Sequence, residues 1–285
     1  MSCSHESLNR LWGSSGLKNF LLDGSHDDKD IWRQTSLTHF LTMLREKRNS
    51  LSHVSKWKDP FEGVVFKAKY VDEKEQEVPV ERLYAGFFGQ CWTEVDADNE
   101  LMWHARSADG YGVCLKTKLH KLKAALVGYG YENVEQCPAV VIGKIQYKRM
   151  STIKNLINEM GREHKKDAKL GRLSENGAIS LFYLKRDIFS NEKEVRLMVN
   201  VGSSCERKKG VFEIHHDDLG FPNIISYQIE AQNFIDEVIL DPRMPSEITA
   251  YVEEEAQNKG WRFKVRKSSL YEYIVPRPTI RVYQN

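Results

Sequence analysis

Three charged residues on alternate positions, Glu192, Glu194 and Arg196, have the types and spacing that could do chemistry. They belong to the stretch "NEKEVRLMVN", residues 191–200, which continues into apolar residues. Successive side chains of a β-strand point to opposite faces, so an extended conformation would place all three on one face. Two interpretations are open. The face is either a solvated strand surface or the wall of a cleft in which carboxylates are used.

The sequence lacks several familiar catalytic signatures: a P-loop, a GxGxxG turn after a strand, a GxSxG elbow and an HExxH helix. Its nine histidines are dispersed, and the adjacent pair His215 and His216 would point to opposite sides of a strand. The five cysteines are odd in number and scattered, without a CxxC pair. We therefore expect neither a metal site nor a disulfide framework, and we expect a reducing cytoplasmic location.

The composition is that of a soluble globular protein. The 285 residues are 41% hydrophobic and 29% charged, and the chain is long enough to bury a sizeable core. No run of about 18 apolar residues predicts a membrane span, and the N-terminus does not resemble a signal peptide. Lys and Arg outnumber Asp and Glu in residues 144–172 and 259–281. These two segments could form a phosphate-facing surface, or they could be ordinary solvated helix faces and loops.

The elements around the charged triplet predict a single α+β domain over residues 30–285, after a weakly ordered lead-in over residues 1–29. "DIWRQTS" is typical of a short strand ending at Ser36, a good N-cap for a helix with apolar residues at helical spacing. "SLSHVS" and "RLYAGFFGQCWTE" predict further strands, and "AISLFYLKRDIFS" carries apolar residues at helical spacing just before the triplet. Strands and helices alternate irregularly, which favours α+β over a regular βαβ fold.

Several motifs occur in a fixed order: "WKDPFEG", Cys91-Trp92, "LMW", "GYGVCLKT", "NEKEVRLMV" and "IDEVILDPRMPSE" followed by "SSLYEY". Together they resemble an uncharacterised bacterial family known only as a domain of unknown function, from about Ile31 to Tyr273. That family in turn looks like a divergent branch of the ADP-ribosyltransferase fold. The resemblance implies a split mixed or antiparallel β-sheet core with peripheral helices.

The same resemblance implies a site of the Arg-Ser-Glu type. Arg33 in "IWRQTS" stands where the family places the residue that contacts nicotinamide adenine dinucleotide (NAD), and Ser52 is the candidate beside the nicotinamide. Glu194 is implied as the catalytic carboxylate and Glu192 as the group that orients or deprotonates the acceptor. Gln34 replaces the usual glycine of that motif.

Two further residues are candidates for binding the dinucleotide. Trp103 could stack on nicotinamide or adenine, although a Met-Trp pair beside a strand is also typical of a core. Arg196 would pair with one carboxylate and keep both ionised. For Arg33, the alternative interpretation is an ion pair at the strand end with Asp59 or Glu62.

The function implied by the resemblance is an NAD-dependent ADP-ribosyltransferase, acting as a toxin or phage-defence effector. Its acceptor could be protein, nucleic acid or water, and the basic segments favour nucleic acid. An antitoxin or other inhibitory partner is a further expectation. Two alternatives stay open: a non-catalytic module that binds nucleic acid or a partner on the same fold, and a metal-dependent nuclease that uses Asp59, Glu62, Glu192 and Glu194.

Overall fold

The computed structural model describes a large part of the chain, and every statement below concerns these residues. They are residues 28–62, 69, 71, 74–77, 86–96, 99–126, 139–155, 182–201, 208–209, 212–218, 220, 222–272 and 281. The predicted lead-in, apart from its last two residues, lies outside these ranges, as does most of the basic segment 144–172.

Strands dominate the described part of the chain. The strands are β1 Asp30–Ser36, β2 Arg48–His53, β3 Phe87–Thr93, β4 Gly112–Lys118, β5 Ala139–Lys144, β6 Gln146–Lys148, β7 Leu184–Arg186, β8 Glu194–Asn200, β9 Lys208–Lys209, β10 Phe212–His216, β11 Pro222–Gln228, β12 Glu237–Leu240 and β13 Lys264–Lys267. The labelled helices are α1 Leu37–Glu46, α2 Glu100–Arg106, α3 Leu119–Leu126, α4 Ala231–Phe234 and α5 Ser246–Asn258. Two 3₁₀ helices cover Val54–Lys56 and Asp187–Glu192. Among the described helices, none combines the length and the apolarity that a bilayer crossing requires.

Eleven of these strands form one mixed sheet in the order β13-β12-β4-β1-β3-β2-β11-β10-β9, with β8 and β5 branching from β3. Neighbouring strands are antiparallel, apart from the parallel pair β12 and β13. Strands β6 and β7 form a separate parallel pair. The α+β class, with a mixed sheet core and helices at the periphery, is therefore confirmed.

Strand β3 is the joint at which the large sheet splits. One edge of β3 pairs with β8 over its whole length. The other edge pairs with β2 only at one end, where Ser52 lies opposite Gly89, and with β1 only at the other end, where Trp32 lies opposite Thr93. Strands β1 and β2 therefore diverge, and residues 90–92 face the gap between them.

The two faces of β8 have opposite characters. Val195, Leu197 and Val199 are fully buried in the main hydrophobic core, which also takes in Phe40 of α1 and Leu122 of α3. The alternate side chains point to the other face of the sheet, where the core is interrupted by charge. The predicted clustering of charge on one strand face is thus correct for Glu194 and Arg196, although that face is buried.

Two local predictions before β8 are wrong. The described part of "AISLFYLKRDIFS" contains the short strand β7 and a 3₁₀ helix in place of the expected α-helix. Glu192 ends that 3₁₀ helix and does not lie on the strand, because Lys193 adopts the left-handed conformation with φ 40°. Alternation along a strand therefore cannot account for the position of Glu192.

The junction between β1 and α1 offers a test of the fold. The Ser36 hydroxyl accepts a hydrogen bond from the His39 backbone N–H at 3.2 Å, as the predicted N-cap requires. We expect Ser36→Ala to lower the free energy of unfolding by about 1 kcal/mol. Thr38→Ala, at an exposed position on the same helix, should change it by less than about 0.5 kcal/mol. Urea denaturation measures both, and equal losses would contradict the capping role.

Candidate active site

Glu194 and Arg196 form a buried ion pair at the start of β8. Their side chains are 1% and 0% exposed, and the Arg196 Nε donates to Glu194 Oε1 at 2.7 Å. The Arg196 Nη2 also donates to Glu62 Oε1 at 3.0 Å. The prediction that Arg196 pairs with a carboxylate is confirmed, and it pairs with two.

Lys185 joins the same cluster from β7. Its ammonium lies 3.1 Å from Glu62, 2.7 Å from Glu192 and 3.0 Å from Glu194, in each case to a carboxylate oxygen. Three carboxylates from separate elements therefore converge on one buried cation. Because Lys185 brings Glu192 to the side of Glu194, the two candidate carboxylates lie together, although only one is on the strand.

The Trp57 ring packs against the Arg196 guanidinium. The guanidinium lies 4.4 Å from the centre of this ring, a cation–π arrangement. Trp57 can take this position because the β3 residue that it contacts, Gly89, has no side chain. A Cβ atom at Gly89 would lie only 2.3 Å from the Trp57 ring and 3.1 Å from the Met198 sulfur. "WKDPFEG" and "FFGQCW" thus contribute to one packed layer.

The cluster keeps Glu194 ionised. Burial alone would raise the pKa of Glu194, but the charges of Arg196 and Lys185, with a hydrogen bond from the Cys91 thiol, outweigh burial and lower this pKa to about 2. Burial alone would lower the pKa of Lys185, but the carboxylates of Glu194, Glu62 and Glu192 outweigh burial and raise it, so Lys185 stays charged. Burial, with the nearby Glu194 charge, raises the pKa of Cys91 to about 12, which makes this thiol a poor nucleophile.

A narrow cleft lies beside the cluster, where β1 leaves β3. Its volume is about 10 Å³, which is room for roughly one water molecule. The lining residues are Trp32, Arg33, Gln34, Cys91, Trp92, Thr93, Met102, Arg106, Glu192 and Glu194. The structure therefore brings three of the predicted site residues, Arg33, Glu192 and Glu194, to one place.

Arg33 has no acidic partner among the described residues. Its Nη1 donates to Asn49 Oδ1 at 2.6 Å, and Asn49 donates in turn to the Tyr227 hydroxyl at 2.8 Å. Burial lowers the pKa of Arg33. The alternative ion pair with Asp59 or Glu62 is not formed, because Asp59 pairs with Arg186 and Glu62 belongs to the buried cluster.

Arg106 was not singled out in the sequence, although it lines the cleft. It is the last residue of α2, and its Nη2 lies 3.3 Å from Glu192 Oε2. Met102, one helical turn earlier, lines the same cleft. The spacing of these two residues in "LMWHAR" is a signal for a shared helix face, but it does not reveal what that face contacts.

Two predicted site residues lie away from the cleft lining. Ser52 pairs with Gly89 and with Ile224 in the sheet. Trp103 is 1% exposed and packs in a small core cluster with Cys114 and Ile239. The core interpretation therefore describes Trp103, and the structure does not bring Ser52 or Trp103 to the carboxylates.

Comparisons with known proteins give few matches. No protein-family model matches the chain, and no curated protein matches it. Among solved structures, DarT of Thermus sp. 2.9 in complex with ADP-ribosylated ssDNA is similar, with 8% identity and a TM-score of 0.35 over 84% of this chain and 93% of that chain. DarT with carba-NAD+ has 8% identity and a TM-score of 0.33, covering 84% and 95%. DarT with NAD+ has 9% identity and a TM-score of 0.33, covering 84% and 96%. TM-scores at this level carry no argument about this chain, so the resemblance found in its motifs stays a hypothesis.

The low pKa of Glu194 makes stability depend on pH. Because its pKa falls from 4.5 to about 2 on folding, its ionisation stabilises the protein above pH 4.5, and this contribution is lost as the pH falls towards 2. Glu194→Gln should therefore cost about 3 kcal/mol at pH 7 and progressively less below pH 4.5.

Urea denaturation at several pH values measures this difference. The matched control is Glu46→Gln, since Glu46 is half exposed and pairs with the neighbouring Arg45. The control should change stability by less than about 0.5 kcal/mol. A cost for Glu194→Gln that stays constant from pH 7 to pH 3 would contradict the electrostatic account.

Proposed function

We propose that this chain is an NAD-dependent ADP-ribosyltransferase whose reaction centre is the cleft beside the buried charge cluster. One observation carries the proposal. Arg33 from the first strand and Glu194 from a strand far along the chain line the same cleft, at the split of the sheet. A cation for the phosphates and a carboxylate for the ribose are the two groups that this chemistry needs.

The transfer breaks the bond between nicotinamide and the ribose C1′. Nicotinamide leaves with the bonding electron pair, the acceptor oxygen or nitrogen attacks C1′, and the acceptor loses a proton to a base. Positive charge develops on the ribose in the transition state, as in other glycosyl transfers. Glu194, held ionised, would stabilise this charge and accept a hydrogen bond from a ribose hydroxyl. Arg196 and Lys185 fix its orientation and also weaken its field towards the cleft.

Arg33 would bind the diphosphate of the dinucleotide. A half-buried guanidinium to which no described residue offers a carboxylate has unused capacity for charge-assisted hydrogen bonds to an anion. The cleft is too narrow to admit a dinucleotide as it stands, so binding requires its walls to separate.

Glu192 would act on the acceptor. Its side chain is 22% exposed, compared with 1% for Glu194, and it lies at the mouth of the same cleft. A carboxylate in that position can orient or deprotonate an attacking group. Nucleic acid is the favoured acceptor, because basic segments of the sequence could bind phosphates. A role as a toxin or phage-defence effector, held silent by an inhibitory partner, is part of the same proposal.

A second candidate is a binding module without turnover on the same scaffold. The narrow cleft and the two cations around Glu194 favour it, since both reduce access to that carboxylate. The nuclease alternative has less support. Lys185 and Arg196 already neutralise the carboxylates that would bind its metal, and the described residues contain no group of acidic, His or Cys side chains suited to a metal ion.

Nicotinamide release separates the two candidates. Purified protein with NAD labelled in the nicotinamide, in the presence of DNA, RNA or cell lysate, should release the label. Arg33→Gln and Glu192→Gln should each reduce the rate at least tenfold, because each removes a charged group that contacts substrate. Both variants avoid the deepest part of the cluster, so circular dichroism should show them folded.

Two controls complete the experiment. Glu46→Gln, at an exposed helix position, should keep the wild-type rate. A chelator should have no effect, whereas it would inhibit a metal-dependent enzyme. The absence of release with every acceptor would reject the transferase and leave the binding module.

A further inference from the structure

The candidate cleft is lined by two guanidinium groups, Arg33 and Arg106, which differ in their acidic neighbours. Arg33 has no carboxylate partner among the described residues. Arg106 has one close acidic contact, the 3.3 Å pair with Glu192, and its side chain is 35% exposed. Exposed ion pairs of this length contribute little to stability. Burial alone would lower the pKa of Arg106, but nearby charges, among them Glu192, Glu194 and Glu62, outweigh burial and raise it. Arg33 is therefore the less balanced of the two guanidinium groups.

Glu192 does not depend on Arg106 for its counter-charge. The Lys185 ammonium lies 2.7 Å from Glu192 Oε2, which is closer than Arg106. When Arg106 turns away, Glu192 keeps this shorter contact. The separation of Arg106 from Glu192 therefore leaves Glu192 paired, so a ligand anion could take the place of Glu192 at Arg106.

Arg106 lies at the exposed side of the cleft, where its side chain is 35% exposed. It ends α2, and its side chain reaches across to Glu192 at the end of the 3₁₀ helix Asp187–Glu192. The contact therefore joins α2 to this 3₁₀ helix at the edge of the cleft. Arg33 lines the same cleft and is held by its hydrogen bond to Asn49.

We propose that Arg106 is a second substrate-binding residue, which leaves Glu192 and, together with Arg33, binds the diphosphate of a nucleotide in the cleft. The identity of that nucleotide as NAD rests on the function proposed above; the diphosphate site itself rests on the two guanidinium groups. Guanidinium groups bind phosphate oxygens through paired hydrogen bonds, so two of them can hold a diphosphate from both sides. The same movement would widen the cleft.

The charges near the two arginines support this arrangement. The positive charge of Arg106 is among the causes that lower the pKa of Arg33, after burial, so the two groups repel each other. An anion between them removes that repulsion. Glu192 is therefore a competitor of the ligand for Arg106, as well as the group proposed to act on the acceptor.

Binding of ADP, measured by calorimetry at low ionic strength, tests the proposal without turnover. Arg106→Gln should weaken ADP binding about tenfold or more, as expected for the loss of a charged hydrogen-bonding group. Arg106→Lys should recover part of the affinity. Glu192→Gln should tighten ADP binding, because it removes the competing carboxylate.

Two controls give the test its specificity. Arg45→Gln, at a helix position where the side chain is 71% exposed, should bind ADP like the wild type. Adenosine, which lacks the phosphates, should bind with an affinity that Arg106→Gln does not change. A purely structural role for Arg106 would weaken both ligands equally.

Equal weakening of ADP and adenosine by Arg106→Gln would overturn the proposal. So would wild-type protein that does not bind ADP, an Arg106→Gln variant with unchanged ADP affinity, or a Glu192→Gln variant weakened as much as Arg106→Gln. The outcome is separate from that of the transferase. The expected ADP pattern without nicotinamide release would retain the diphosphate site and reject the transferase. Nicotinamide release together with ADP binding that Arg106→Gln does not change would retain the transferase and reject the role of Arg106 in the diphosphate site.

Discussion

The buried pairing of Glu194 with Arg196 and Lys185 is the interaction on which the rest of the site depends. Removing charges from water costs several kcal/mol for each ion, and good geometry with complete pairing is needed to offset this. Here Glu62, Glu192 and Glu194 meet Lys185 and Arg196, with Arg106 at the open side, so the charges balance. This balance ties β7, β8 and the turn after Trp57 into one unit.

The cleft beside this cluster lies where the sheet splits. Strand β3 pairs completely with β8 on one edge and only at its ends on the other, so a gap opens beside residues 90–92 of β3. Glu194 lies next to this gap, opposite Thr93, where β3 still pairs with β1. The same gap places Arg33 within the cleft and separates Ser52 from it. A continuous sheet would pair these edges and leave no gap between β1 and β2. The irregular topology therefore accounts for the position of the cleft that the proposed function uses.

Local patterns predicted much of this arrangement. The strand of Arg33, the Ser36 cap and the charged face of β8 all followed from alternation and capping, which act over a few residues. The position of Glu192 did not follow, because one left-handed residue at Lys193 changes the direction of the chain. The sequence did not predict a role for Arg106 or the contacts of Lys185, because the partners of these two residues come close only in the tertiary fold. Trp103 fits its core interpretation, which the sequence left open.

The most direct test of the account is a crystal structure of the protein with a non-hydrolysable NAD analogue. We expect the diphosphate to lie between Arg33 and Arg106. The ribose next to nicotinamide should lie within hydrogen-bonding distance of Glu194. Lys185 and Arg196 should keep their contacts with Glu194 in that complex. An analogue bound elsewhere, with the cleft still closed by Arg106 and Glu192, would contradict it.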